Sequence, residues 1–140
     1  MSDCIFCKIV SGEIPSTVIY EDDDVLVFMD IAPIIKGHAL VIPKAHYDPV
    51  TDTPDATVSR LHLVAKQIAA AQMNGLAADG VNIMQNNGKA AGQEVPHVHV
   101  HVIPRFNADG HHWNWAAKKY DNFDEMADLA GKMQKQLAKS

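Results

Sequence analysis

Residues 86–105 read NNGKAAGQEVPHVHVHVIPR. His97, His99 and His101 take every second position, with Val98, Val100 and Val102 between and after them. Side chains alternate across a β-strand. The spacing therefore predicts three imidazoles on one face and three valines on the other, with neighbouring imidazoles ~6.5–7 Å apart. β-branched valines suit a pleated, half-buried surface. The imidazole face needs a polar partner: water, a metal or an anionic substrate. Upstream, Gly88 and Gly92 let the backbone approach a ligand and offer N–H groups to a phosphate. Pro104 closes the strand. One or two histidines would read as a satisfied polar strand face; three in alternation behind a Gly-rich loop point to a site.

Around this fifth strand, predicted over 95–103, four further β-rich runs occupy 17–20, 25–30, 39–42 and 81–85. The first two flank the acidic residues 21–24, which read as the solvated turn of a hairpin. The third is entered through Gly37 and ended by Pro43. Ser2 or Asp3 is placed to cap a short helix carrying Ile5, Phe6 and Ile9, stopped by Gly12. Thr53 and Pro54 supply a cap and a first helical position. From there Val58, Leu61, Val64, Ala65, Ile68 and Ala69 keep helical spacing up to Gly75, while Arg60 and His62 fall off the stripe and read as surface. Asn122 and Glu125 form a capping pair for a last helix with Phe123, Met126, Leu129, Met133 and Leu137 on one face. The intervening segment, with His111, His112, Trp113 and Trp115, packs either on this surface or on a partner subunit. No repeat or linker divides the chain. The reading is one domain over 1–140, of α+β class, with a mostly antiparallel five-stranded sheet, one long central helix and a C-terminal helix.

A chain of 140 residues suits one independent core, and 47% hydrophobic with 21% charged residues is an ordinary globular balance. The net charge of −5 argues against general nucleic-acid binding, which needs a basic face. Any phosphate site must be local, built from N–H groups and histidines. No apolar run is long enough for a membrane span, and the N-terminus lacks a signal-peptide layout, so a cytoplasmic protein is expected. Both cysteines lie in one C-x-x-C, Cys4 and Cys7. In a reducing setting these are thiols, metal ligands or a redox pair rather than a structural disulfide.

The run H-V-H-V-H-V behind Asn86 and G-Q-x-V closely resembles the histidine triad (HIT) family of nucleotide-binding hydrolases and transferases. C-I-F-C-K-I-V-S-G-E-I-P and F-M-D-I-A-P look like the family's bacterial Hint-like branch. The resemblance implies a HIT-like fold. It also implies hydrolysis of a purine nucleotide at its α-phosphate, of the nucleoside phosphoramidate type, through a covalent nucleotidyl-histidine. His99 matches the nucleophile, His97 and His101 its flanking partners, and His38, in K-G-H-A-L-V-I-P, the fourth active-site histidine. Asp30 matches the carboxylate that takes the ribose hydroxyls. Ile5, Phe6, Ile9, Phe28 and Ile31 match apolar walls around the purine. Asn86 and Gly92 match residues beside the phosphates, with Gln93 and Glu94 as adjacent backbone donors. Close relatives often carry Ser or Thr where this chain has Glu94, whose carboxylate would repel a phosphate if it faced one.

Some bacterial relatives complete the C-x-x-C as a structural zinc site with histidines, here Cys4, Cys7, His46 and His97. The alternative is a reduced cysteine pair against the core. The resemblance also implies a homodimer with sheets joined at the interface, and no cofactor for catalysis. Three other functions compete: a dinucleoside polyphosphate hydrolase, a non-catalytic nucleotide-binding adaptor, and a zinc enzyme using the three triad histidines as ligands. Spacing along a flat strand disfavours the last, because zinc bonds are only ~2 Å long.

Overall fold

The computed structural model describes residues 3–113 and 116–139. Its elements are α1 (Ile5–Val10), β1 (Val18–Glu21), β2 (Val25–Met29), β3 (Ala39–Pro43), α2 (Asp55–Gly75), β4 (Gly80–Met84), β5 (Val100–Arg105) and α3 (Phe123–Leu137). The five strands form one sheet in the order β1-β2-β3-β5-β4, and every neighbouring pair is antiparallel. With three helices, this is an α+β fold.

Alternation along the strands divides the core into two layers. Val25 and Val27 of β2, Val41 of β3, and Val98, Val100 and Val102 face Leu61, Val64, Ala65 and Ile68 of α2. Leu26, Phe28, Leu40 and Ile42 turn to the opposite face, against Cys4 and Phe6. The long helix thus covers the valine side of the sheet and leaves the histidine side to the short N-terminal helix.

Several boundaries depart from the sequence reading. β5 begins at Val100, not at residue 95, because the backbone before it pairs elsewhere: the Val98 N–H donates to the Tyr47 carbonyl at 2.7 Å. Only His101 of the triad lies within the ladder, opposite Leu40 and Met84. The cap of α1 is Cys4, whose sulfur accepts from the Cys7 N–H, rather than Asp3; Ser2 lies outside the described residues. Pro54, not Thr53, sits at the N-cap of α2; the Thr53 hydroxyl donates back to the Pro49 carbonyl at 2.9 Å. Gly75 is the last helical residue, but the left-handed position that turns the chain is Ala77, at φ 57°. At the entry to β3, Gly37 is required: its φ is 105°, and a Cβ there would lie 2.9 Å from Leu76 and 3.0 Å from Pro104.

Arg60 is more than surface. Its guanidinium and the Tyr20 hydroxyl both donate to Asp22 Oδ2, while Asp22 Oδ1 accepts the N–H groups of Asp24 and Val25. This network closes the β1–β2 hairpin and holds the Asp22 carboxyl well below its usual pKa, chiefly through Arg60. His62 is exposed. A second network anchors the chain after β5: Arg105 donates to both Asp109 oxygens, to Asn82 and to the His111 carbonyl. Trp113 donates to the same Asn82 oxygen at 3.1 Å, so this part of the segment packs on the chain's own β4; Trp115 lies outside the described residues. Beyond it α3 carries no buried residue. No described helix is long and apolar enough to cross a membrane.

Candidate active site

The histidine face of the sheet opens into a cavity of about 380 Å³, within the size range of small-ligand sites. His38 projects from the turn before β3, His101 from β5, and His99 from the extended segment ahead of it. All three line the cavity, with Asp30 beyond the end of β2. Asn86, Gly92 and Glu94 border it from the Gly-rich loop. Phe6 forms one apolar wall, together with Ile34, Leu40 and Val95, which the sequence reading did not single out. Leu40 was legible in principle, since it faces the same side as His101, its partner in the β3–β5 register.

Hydrogen bonds assign the neutral tautomers. The Ile34 N–H donates to His38 Nδ1 at 3.2 Å, so the His38 proton sits on Nε2. That proton faces His101 Nδ1 at 2.9 Å, which leaves the proton of His101 on its own Nε2. His99 Nδ1 lies 2.7 Å from the His97 carbonyl and must donate to it. Its Nε2 therefore keeps a lone pair. The rings of His99 and His101 have centroids 4.9 Å apart, closer than the spacing along an ideal strand, because His99 stands outside the ladder and leans toward its neighbour. Phe6 packs edge-on against His99 at 5.0 Å.

Burial lowers the pKa of His38 against the attraction of Asp30, and that of His99 against its hydrogen bond to the His97 carbonyl and the attraction of Asp48 and Asp30. His101 is lowered to about 4, first by burial and then by its neighbours His99 and His38. All three imidazoles are thus held neutral around pH 7. Asp30 Oδ2 lies 3.7 Å from His38 Nε2, and its Oδ1 accepts the Ala32 N–H at 2.8 Å.

The remaining predicted residues fall elsewhere. Gln93 is buried, and its N–H is committed to the Gly88 carbonyl. Its side chain accepts from the Gly88 N–H and donates to Asp48 and the Val95 carbonyl. It fastens the loop instead of lining the cavity. Glu94 is exposed at the rim. Phe28 packs behind Phe6, with ring centroids 5.5 Å apart. Ile9 packs on that layer, Ile5 is 52% exposed, and Ile31 is 96% exposed, so none of the three walls the cavity.

His97 does not line the cavity; its ring joins a cluster with Cys4, Cys7 and His46. Its Nε2–H donates to the Pro43 carbonyl at 2.8 Å, which aims the Nδ1 lone pair at the cluster. That atom lies 3.4 Å from Cys4 Sγ, 3.6 Å from Cys7 Sγ and 3.1 Å from His46 Nδ1; Cys7 Sγ and His46 Nδ1 are 3.4 Å apart. A tetrahedron with zinc–sulfur bonds of ~2.3 Å and zinc–nitrogen bonds of ~2.0–2.1 Å has edges of roughly 3.3–3.8 Å. The sulfur–nitrogen separations fall in that range and the His46–His97 nitrogens lie slightly below it. The four donors therefore suit such an ion after a small spread of the two rings, and the carbonyl behind His97 is the partner a metal-bound imidazole needs. Among the described residues, the three triad histidines do not form a metal-competent group of their own; the other grouping is Asp30, His38 and His101.

Residues 11–108 match the HIT domain. The chain is 43% identical to the adenosine 5'-monophosphoramidase of Saccharomyces cerevisiae over 135 residues, 96% of this chain and 80% of that one. A crystal structure from Streptococcus mutans superposes with a TM-score of 0.90 at 43% identity, over 98% of this chain and 87% of the other. A zinc-bound histidine triad family protein from Mycobacterium smegmatis superposes with a TM-score of 0.75, also at 43% identity, over 99% and 97%. A domain match over most of the chain, whole-length identity of this order and a shared fold make the chain a member of the histidine triad (HIT) family.

Proposed function

We propose that this protein is a purine nucleoside phosphoramidase working through a covalent nucleotidyl-histidine on His99. The observation that carries the reading is the 2.7 Å bond from His99 Nδ1 to the His97 carbonyl. It orients the ring and leaves the Nε2 lone pair free on a cavity wall. Nε2 attacks the α-phosphorus, the bond from phosphorus to the leaving amine breaks, and water then displaces His99 to release the nucleoside monophosphate. His101 Nε2–H donates to a non-bridging phosphate oxygen, and His38 holds His101 in the tautomer that permits this. The amine leaves at the open rim, where solvent supplies its proton.

In the same reading Asp30 accepts the ribose hydroxyls, the Gly92 loop borders the phosphate, and Phe6 with Leu40 contacts the purine. Gln93 positions the loop. Similarity to a monophosphoramidase supports the substrate class. So does charge: the cavity lining holds Asp30 and Glu94 but no Lys or Arg. A dinucleoside polyphosphate, with several negative charges, is the poorer fit. Cys4, Cys7, His46 and His97 would hold a structural zinc, as the fit of their donor atoms and the zinc-bound relative suggest. Bound there, the ion ties α1 to the segment that carries His99. We further place the protein in the reducing cytoplasm as a homodimer joined through the open edge at β4, where Ile83 is exposed.

Incubation with adenosine and guanosine phosphoramidates, dinucleoside polyphosphates and 2′-deoxy analogues, with product analysis, tests the reading. Nucleoside monophosphate should appear fastest from ribonucleoside phosphoramidates, and His99→Ala should abolish it while retaining nucleotide binding. A variant keeping more than a few per cent of the rate would refute the covalent mechanism. Nucleotide binding by the parent chain without turnover would favour an adaptor.

A further inference from the structure

We propose that Gln72 is a positioning residue that holds His38 and His101 in register with each other. The inference rests on the reading above, in which these two rings serve the chemistry at His99. The buried stripe of α2 runs through Leu61, Val64, Ala65 and Ile68 and ends on Gln72. An amide thus takes a place where helical spacing calls for another apolar side chain. Gln72 is only 4% exposed. Its Nε2 donates to the Gly37 carbonyl at 3.1 Å and to the Val102 carbonyl at 2.9 Å. Two carbonyls on one side settle the orientation of the amide, because only its NH2 end can donate. Its Oε1 is buried with no partner among the described residues, an arrangement that costs stability. A polar group kept in a core position at such a cost points to a task besides packing.

The two carbonyls define that task. Gly37 precedes His38, and Val102 follows His101. The β3–β5 ladder pairs Leu40 with His101 and Ala39 with Val102, and stops there. His38 therefore lies one residue past the last paired position, on the chain entering β3. Its N–H donates to the Ile35 carbonyl and its carbonyl accepts the Asp30 N–H, both at 3.0 Å. These bonds shape the turn after β2 but do not reach β5. Gln72 does, with one amide joining the turn to β5 where the ladder gives out. Its own backbone is fixed, since its carbonyl accepts the N–H groups of Leu76 and Ala78 at the end of α2. The consequence for the side chains is the 2.9 Å contact from His38 Nε2 to His101 Nδ1. A separation of about 3.6 Å is no longer a hydrogen bond, so a drift of about 0.7 Å at the turn would break it. His101 would then be released to either tautomer, and the Nε2–H needed for the phosphate would no longer be enforced.

Nuclear magnetic resonance of the isotope-labelled full-length chain reads this arrangement without substrate. Near neutral pH the parent should show a slowly exchanging imidazole proton on His38 Nε2, assigned by its loss in His38→Gln, with His101 protonated on Nε2 alone. Gln72→Met keeps the length of the side chain and an adaptable apolar body but has no donor. It should fold, by circular dichroism, yet lose the protected proton and show both tautomers of His101. Phosphoramidate kcat should fall about tenfold or more while KM stays within about twofold, because orientation of the reacting groups is lost and nucleotide binding is not. Gln72→Leu, which completes the apolar stripe of α2, should behave alike and serves if the methionine variant does not fold. A variant that melts lower but keeps the parent's proton resonance and kcat would make Gln72 a plain packing tie and overturn the proposal. Absence of the protected proton from the parent would overturn it too. A parent without turnover would instead refute the phosphoramidase reading, and the resonance comparison would still decide the role of Gln72.

Discussion

His38 and His101 show how a buried imidazole pair becomes a liability in acid. Both have folded-state pKa values below the ordinary histidine value, His101 at about 4. The unfolded chain therefore binds their protons more readily than the folded one as pH falls below 6.5. Stability present above that point is lost progressively down to about 4. Melting temperature should drop across this window, and less so for His101→Gln; equal losses would place the titration in other groups. Glu94 poses a separate question, because it sits exposed at the rim of a cavity already containing Asp30. Replacing it with Ser removes a negative charge from the phosphate's approach, so Glu94→Ser should raise turnover of phosphoramidates. An unchanged or lower rate would show that the carboxylate has a task of its own, such as attracting a cationic leaving group.

At the scale of elements, α1 joins two sites. Its N-cap Cys4 and its Cys7 belong to the cysteine–histidine cluster, and its Phe6 rests against both His97 and His99. Metal bound by these donors would stabilise the helix and the segment before β5 together. The parent, purified without a metal-affinity step, should contain about one zinc per chain by elemental analysis. A Cys4→Ala/Cys7→Ala variant should lose that zinc and melt several degrees lower. Metal-free parent from zinc-replete cells, or a variant melting like the parent, would dismiss the site.

The whole molecule is a sheet with unlike coverings, one face under α2 and the other shared by α1 and the cavity. The larger of its two buried apolar clusters lies on the α2 side. Leu61 is 2% exposed in the layer formed with the β-strand valines. Leu61→Ala should cost about 2–5 kcal/mol, through lost burial and the void left behind. Urea unfolding measures this directly, and a loss below about 1 kcal/mol would mean that the layer closes up around the gap.

Local patterns foretold much of this. Alternation of histidine and valine separated the two faces of the sheet, the α2 stripe was legible because helix periodicity and burial coincide there, and Asn122 caps α3 as its spacing with Glu125 implied. Such features depend on contacts within one element. Other outcomes needed the chain to come together. The Tyr47 carbonyl takes the Val98 N–H and keeps His97 and His99 out of the ladder. The Pro43 carbonyl turns His97 toward the cysteines. The Gly88 carbonyl claims the Gln93 N–H, and the β2–β3 connection leaves Ile31 in solvent instead of on the cavity wall. In each case the deciding group is a backbone atom or a surface set by tertiary packing. Residue type and spacing mark the imidazoles as a group, but hydrogen-bond partners distant in the chain choose which rings line the cavity and which joins the cysteine cluster.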